Sequence, residues 1–455
     1  MLSKSSKTKQ QNLFYSPLSD MLDMNDPLIA LSNAIDWEIF ENEFSQFYSK
    51  DGSPAKPIRL MVGLLILKQL ENLSDESIVI QWKRNPYYQY FCGYNEMQLC
   101  EPCHSTQLVK FRQRIGKEGM ELIFKVSVQL HGNKAEEKEV LIDTTVQEKN
   151  ITYPTDGKLA IKMIHHLHKI CKKEQLNLRR TFLKEIKEHR INLRFFKHPK
   201  KIKKARSSIK RLRTIVGILI RDISRNLKQD KLSNYTNTFD LFDKVRNQQI
   251  KDSNKVLSLH ESHVYAITKG KDHKKYEYGT KASIVATKDS GVIVGVASHS
   301  KNEHDSKTLE AALISANKTR TTAIKEVICD RGYRGIKEVL GTIISIPGTT
   351  LKKDTEYQKQ QKRDKFKRRA AIEPIIGHLK SDFRLARNYL KGFIGDQINL
   401  LLAATAWNLK KWMNIYFFAI ISGEMKLLLE SIKQIKLYNQ IFLQLIVIKL
   451  IFTHP

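Results

Sequence analysis

Three carboxylates stand where a hard divalent cation would be held: Asp143 inside the run EVLIDTTVQ, Asp330 closing the run EVICD, and Glu373 opening a helical stretch. A carboxylate inside or at the edge of an apolar run is costly to desolvate and needs a partner. Mg²⁺ or Mn²⁺ is such a partner, since hard cations take oxygen ligands from one or two carboxylates and keep the remaining shell for water and phosphate. Two ions a few ångströms apart suit an in-line displacement at phosphorus, one activating the attacking oxygen and one neutralising the leaving oxygen. Each acid alone has a plainer explanation: Asp143 bonding a turn, Asp330 capping a loop, Glu373 pairing with a nearby arginine. Taken jointly, on two core strands and a helix of a strongly cationic chain, they favour the metal-dependent chemistry. Arg369 and Lys380 stand at i−4 and i+7 from Glu373, on one helical face, where two cations would grip phosphates beside the acid. Pro374 is at home only in a helix's first turn, so Arg369 is expected on a preceding turn across a kink.

The elements that must position these residues follow from periodicity. Strands are expected at EVLIDTTVQ, HVYAITK, KASIVAT, GVIVGVASH, EVICD and GTIISIP, the third and fourth joined as a hairpin by Lys288-Asp289-Ser290-Gly291. Helices are expected over 302–316 and from 371 to about 391. This order gives an α/β fold, a mixed-sheet core over 138–156 and 251–412 with a large helical insertion, 157–250, after its first strand. Upstream, 57–131 reads as a small all-helical domain of three short helices, Ser74 capping the second and Ser105 or Thr106 the third. Such a unit suits DNA contact. Residues 1–56 form an N-terminal segment and 413–455 an apolar tail. The tail's runs, 415–421 and 441–452, are short of the roughly 20 residues of a spanning helix, so no membrane partner is expected. The second run suits a buried terminal helix or a weak surface anchor.

The chain has 455 residues, two or three domains' worth, with 78 Lys+Arg against 47 Asp+Glu and a formal charge of +31. At 41% hydrophobic residues it is not a disordered basic tail, and the commonest polyanion to offset such a charge is nucleic acid, with an anionic membrane second. Residues 157–250 hold 26 Lys and Arg against 7 Asp and Glu, and 197–213 hold nine and no acid. With no acidic stripe to offset it, this stretch is expected to contact phosphates through Lys200, Lys201, Lys203 and Lys204. Five cysteines, an odd count, and the polar start MLSKSSKTKQQN fit a reducing compartment, giving an expected cytoplasmic, nucleoid-associated protein.

The segment FKRRAAIEPIIGHLK, residues 366–380, resembles the Y-x2-R-x3-E-x6-K signature of DDE transposases of bacterial insertion sequences, with Phe366 in the tyrosine place and Arg369, Glu373 and Lys380 matching. VLIDTTVQEKNITYPTD resembles the first-aspartate segment of the IS-five group, in the IS-four/IS-five superfamily, and ICDRGYRG its second-aspartate segment. RLMVGLLILKQLENLSDESIVIQWKRNPYYQYFCGY is similar to the N-terminal domain of the same group. Four separated motifs in the right order, over roughly 57–412, make the resemblance specific. It implies an RNase H-like core that binds two divalent ions, Mg²⁺ or Mn²⁺, through Asp143, Asp330 and Glu373. It further implies DNA cleavage and strand transfer at transposon ends, with terminal inverted repeats and target DNA as partners and a homo-oligomer assembled on them. Phe366 departs from the pattern: it loses any hydrogen bond the tyrosine hydroxyl would make to DNA and keeps the stacking surface.

Other signals weigh less. Cys100, Cys103 and His104 lack the second pair that a zinc finger needs. His165, His166 and His168 sit on a basic helix, where packing or a phosphate explains them better than a metal. The glycines form neither a Walker nor a dinucleotide pattern, so ATP and dinucleotides have no seat. His304 and Asp305 fall at a helix start that Asp305 would cap, and are secondary candidates for facing the metal site. The competing hypothesis is a non-catalytic nucleic-acid-binding protein derived from a decayed transposase; the presence of all three acids favours the enzyme.

Overall fold

The structure, a computed structural model, describes residues 16–49, 54–249, 251–271, 274–346, 348, 351 and 353–452; for 269–271, 274 and 424–452 it describes the backbone alone. Helices begin well before residue 57: α1 (Leu18–Met21), α2 (Pro27–Ala34), α3 (Trp37–Ser45), α4 (Ile58–Leu70), α5 (Asp75–Arg84), α6 (Pro86–Phe91) and α7 (Ser105–Gln129). Helix α4 is apolar nearly all round and buries every residue but Arg59, so it forms the centre of this unit. Trp37, Phe40 and Phe44 of α3 belong to the same core. Ser74 caps α5 as expected, accepting from the Ser77 N–H at 3.0 Å. At α7 the cap is neither Ser105 nor Thr106 but His104, whose Nδ1 accepts from the Thr106 N–H at 3.3 Å.

The chain then enters the sheet through β1 (Glu139–Glu148) and leaves it for α8 (Asp156–Lys173), α9 (Leu183–Asn192), α10 (Ile202–Asn226), α11 (Gln229–Leu232) and α12 (Thr236–Asn247). It returns with β2 (Tyr265–Lys271), β3 (Lys274–Thr287), β4 (Ile293–His299), α13 (Asp305–Thr319), β5 (Glu326–Ile328), β6 (Glu338–Val339) and β7 (Thr342–Ser345). Helices α14 (Glu356–Ala370), α15 (Ile372–Ser381) and α16 (Gly392–Phe452) close the chain. The sheet runs β2-β3-β1-β5-β7-β6 with β4 also on β3. Strand β1 is antiparallel to β3 and parallel to β5, which is parallel to β7, a mixed sheet consistent with an RNase H-like core. The hairpin expected at Lys288–Gly291 joins β3 to β4, with Gly291 at φ 63°.

One expected helix is redrawn. The stretch from 371 to about 391 is helical only as α15, which Asp382 ends; α16 starts at Gly392. Upstream, α14 has no counterpart among the expected helices, because EYQKQQKRDKFKRRA is polar on every face and has no buried residue. The break between α14 and α15 falls at Ala371, close to Pro374, which is in the first turn of α15 where its missing N–H costs nothing. Residues 441–452 continue α16 in backbone, and whether that run is buried lies outside the described side chains. Among the described residues no helix is long and apolar enough to cross a membrane.

Candidate active site

Asp143 stands in mid-β1, opposite Ile284 of β3. On its other side β1 pairs with β5, and the last register pair is Leu141 with Ile328. Two residues beyond that pair come Asp143, still within β1, and Asp330, just past the carboxyl end of β5, so the parallel register brings the two aspartates toward each other where β5 ends. That end of a parallel pair is where open α/β sheets present ligand groups. Both are half-buried. Asp330 also has its plainer role, capping a short turn by accepting from the Gly332 N–H at 2.8 Å, whereas Asp143 stands inside a strand, not at a turn, and accepts from the Thr144 N–H at 2.7 Å. Burial and then the charges of Asp330 and Asp143 push the Cys329 thiol up to about 12. Burial, with the charges of Asp143 and Asp305, raises the Tyr333 phenol as well. Both groups stay neutral and form an uncharged floor under the acids.

Asp305 comes closer to the aspartate pair than a cap would. The cap of α13 is His304, which accepts from the Ser306 N–H through Nδ1, and this corrects the expectation that Asp305 caps the turn. The Asp305 carboxylate instead accepts from the Thr144 hydroxyl and from Lys281 Nζ, each at 2.9 Å. Its other oxygen faces Asp330 across Gly332: a β-carbon there would lie 2.9 Å from Asp330 Oδ1 and 3.1 Å from Asp305 Oδ2. Glycine alone lets the turn pass between the two acids.

Glu373 is carried by the first turn of α15, which Ile372 anchors by packing on Leu141 and Ile328. The helix therefore packs on β1 and β5 two residues before the aspartates. The Glu373 carboxylate is 60% exposed and receives a 2.6 Å hydrogen bond from Arg369. Arg369 thus grips Glu373 and not a phosphate in this arrangement, because Ala371 keeps αR geometry and the i, i+4 spacing survives the break. Among the described residues no three His, Cys, Asp or Glu side chains converge closely enough to hold a metal ion. Phe366, Arg369, Cys329, Asp330, Arg331 and Ile346 line one cleft of about 210 Å³. Lys380 is in the last turn of α15, half-buried, and outside that lining. Lys200, Lys201, Lys203 and Lys204 are exposed at the N-terminal end of α10, Lys201 with its Nζ 4.5 Å from the centre of the Phe195 ring.

Three residues of this site escaped the sequence. Arg331, beside Asp330, was readable from adjacency alone; Thr144 and Lys281 were not, because their meeting at Asp305 depends on strand register. The histidines outside the acidic site are engaged elsewhere: His104 caps α7, and the His166 ring packs edge-on against Phe242.

The Transposase DDE domain family matches residues 252–409, and the Transposase domain (DUF772) family matches residues 16–114. The chain belongs to the DDE transposases. The first match covers Asp330 and Glu373; the second covers α1 to α6 and part of α7, including the helices upstream of residue 57. A relative from Rhizobium meliloti, "Uncharacterized protein ORF8 in nfe locus", is 36% identical over 194 residues, 42% of this chain and 94% of its own length. No solved structure matches the transposase chain.

Proposed function

We propose that this transposase, of the IS-five group, binds the terminal inverted repeats of its own insertion sequence, cuts the DNA there and joins the ends to target DNA, acting as a homo-oligomer on DNA. The observation that supports the reading is the register that sets Asp143 of mid-β1 beside Asp330, just past the end of β5, with Asp330 in one cleft with Phe366 and Arg369. Asp143 and Asp330 offer the one or two carboxylates that a hard divalent cation takes from a protein, and Asp305, paired to Lys281, lies across Gly332 from Asp330. Asp143 and Asp330 would hold Mg²⁺ or Mn²⁺, and Glu373 would join them once Arg369 releases it. When bound, two such ions supply charge neutralisation on both sides of the phosphorus under attack.

The protein's own groups do the rest. Arg369 exchanges the Glu373 carboxylate for a phosphate, two acceptors that match its planar fork equally well. Phe366, 57% exposed at the cleft, stacks against a base. Lys380, two turns beyond Glu373, meets the same strand further along. The lysines at the start of α10 stand at the positive end of that helix's dipole, where a cation is poorly placed unless an anion joins it, and there they hold duplex phosphates. The N-terminal helices take part in DNA recognition.

The deciding experiment incubates the purified protein with Mg²⁺ and DNA carrying the ends of its element. Nicks at those ends support the reading. Tight DNA binding with no nicking at any Mg²⁺ or Mn²⁺ concentration would replace it with the non-catalytic nucleic-acid-binding protein.

A further inference from the structure

A second concavity lies on the helical block between β1 and β2, lined by none of the aspartates. Arg206, Lys210, Arg213 and Arg221 of α10 and Arg246 of α12 line an open groove of about 450 Å³. On α10 the positions 206, 210, 213, 217 and 221 step by three or four residues and form one stripe along the helix. Gly217 interrupts the cations, and Arg246 fills the gap from α12. A β-carbon on Gly217 would lie 2.5 Å from Arg246 Nη1 and 3.5 Å from Arg221 Nη1, which bounds the separation of those two guanidinium nitrogens at about 6 Å. Like charges this close repel, and an anion between them relieves the repulsion. Asp243 and Asp156 pair with Arg246 and Arg213 at 2.8 Å. Among the described residues no acid lies within ion-pair distance of Arg206, Lys210 or Arg221, all three exposed.

We infer that this groove binds the phosphodiester backbone of duplex DNA, as a second DNA-binding surface separate from both the catalytic cleft and the lysines that begin α10. The inference rests on reading the chain as a DNA-acting transposase. From Arg206 to Arg221 the stripe runs about 22 Å at 1.5 Å per residue, the length of about six base pairs of duplex. A single small anion would engage only its centre. Planar guanidinium groups, four of the five cations, suit phosphate oxygens held in a row. Gly217 is the notch that lets Arg246 lie across α10 and complete the row.

The test uses the full-length protein and a 30-base-pair duplex lacking the element's ends, titrated across salt concentrations. In the variant carrying Arg206→Gln, Lys210→Gln and Arg221→Gln, the salt slope is expected to fall by about 2 to 3, at about 0.9 for each phosphate that is no longer neutralised. Gly217→Ala displaces Arg246 with no change of charge and is expected to weaken binding as well; Arg246→Gln serves in its place if a thermal melt shows the alanine protein unfolded. An unchanged slope in the triple variant overturns the inference. So does loss of binding to anionic phospholipid vesicles while the duplex slope stays the same, which would assign the groove to a membrane surface. The nicking assay separates this from the proposed activity: a wild-type protein that never nicks, with a slope that falls in the variant, sinks the strand transferase and keeps the groove.

Discussion

At Gly332 the chain threads between the carboxylates of Asp330 and Asp305, and Lys281 offsets part of the charge gathered there. Asp143→Ala and Asp330→Ala are each expected to abolish cleavage in the nicking assay while gel-shift binding persists, since they remove oxygen donors and no phosphate contact. A variant that retained near-normal cleavage would remove that aspartate from the site. Glu373→Gln is expected to behave likewise. Asp305→Asn should cost less, about 10- to 100-fold in Mg²⁺ affinity, because Asp305 acts through Thr144 and Lys281 and its amide still accepts one hydrogen bond. Calorimetric titration with Mg²⁺ reads this directly, and an unchanged affinity would detach Asp305 from the site. Arg369→Lys should be only partly tolerated, since a point charge reproduces neither the grip on Glu373 nor a two-pronged hold on phosphate. That Asp143 and Asp330 stand in or just beyond core strands was legible in the sequence because a carboxylate in an apolar run is conspicuous. The Arg369–Glu373 pair was legible only as a plainer option for Glu373, since spacing alone leaves open whether an arginine faces its neighbour or a ligand.

At the scale of elements, every strand but the two-residue β6, and the capped helix α5, were legible because alternation and a Ser-Asp start have direct physical causes. Helix α14 was not, having no apolar face to show, and α2 and α3 fall within a stretch that reads only as an N-terminal segment. What joins α4, α5 and α7 is a buried charge cluster: Asp75 accepts from Lys68 at 2.9 Å and from Arg112 at 2.9 and 2.5 Å. Burial alone would raise the Asp75 carboxyl, but hydrogen bonds from Arg112 and the charges of Lys68 and Arg112 win, and it falls to about 2. A carboxylate held below its unfolded value contributes stability that is present above about pH 4 and is lost as pH falls toward about 2. Acid titration of the melting temperature should therefore show a drop in that window, which Asp75→Asn removes. The same substitution strands two buried cations and is expected to cost about 3–5 kcal/mol at neutral pH, read from urea unfolding. A change below about 1 kcal/mol would mean that water already reaches the cluster. For the basic block, replacing Lys200, Lys201, Lys203 and Lys204 with Gln should flatten the salt dependence of duplex binding. No change in slope would return these lysines to a merely solvated helix end.

Among the described residues, two large apolar cores stand beside two clusters of three residues each. One runs from Leu28 of α2 through the sheet to Leu409 of α16, so the N-terminal helices and the sheet are one packed body; Gln69 donates to the Phe383 carbonyl at 2.5 Å, and His131 meets the Asn408 carbonyl at 3.0 Å. The other lies wholly within 159–256, built by α8, α10 and α12 around Leu212, Ile215 and Phe242. Near where the chain leaves and rejoins the sheet a charged group gathers: Lys149, just past β1, is 2.5 Å from Asp396 and 3.5 Å from Glu261, and His263 reaches Asp396 at 2.9 Å. Apolar surface couples the unfolding of what it joins, whereas a small charged junction fixes orientation with little shared burial. Thermal unfolding of the full chain should then show two transitions, one for each core. Leu212→Ala, fully buried in the second core, is expected to cost about 2–5 kcal/mol there and to lower one transition while leaving the other in place. Differential scanning calorimetry of the two proteins decides it. A single transition that shifts as a unit would mean that the insertion is coupled to the sheet more tightly than two cores with no shared buried residue suggest. In that case the cationic groove could not be repositioned independently of the catalytic cleft.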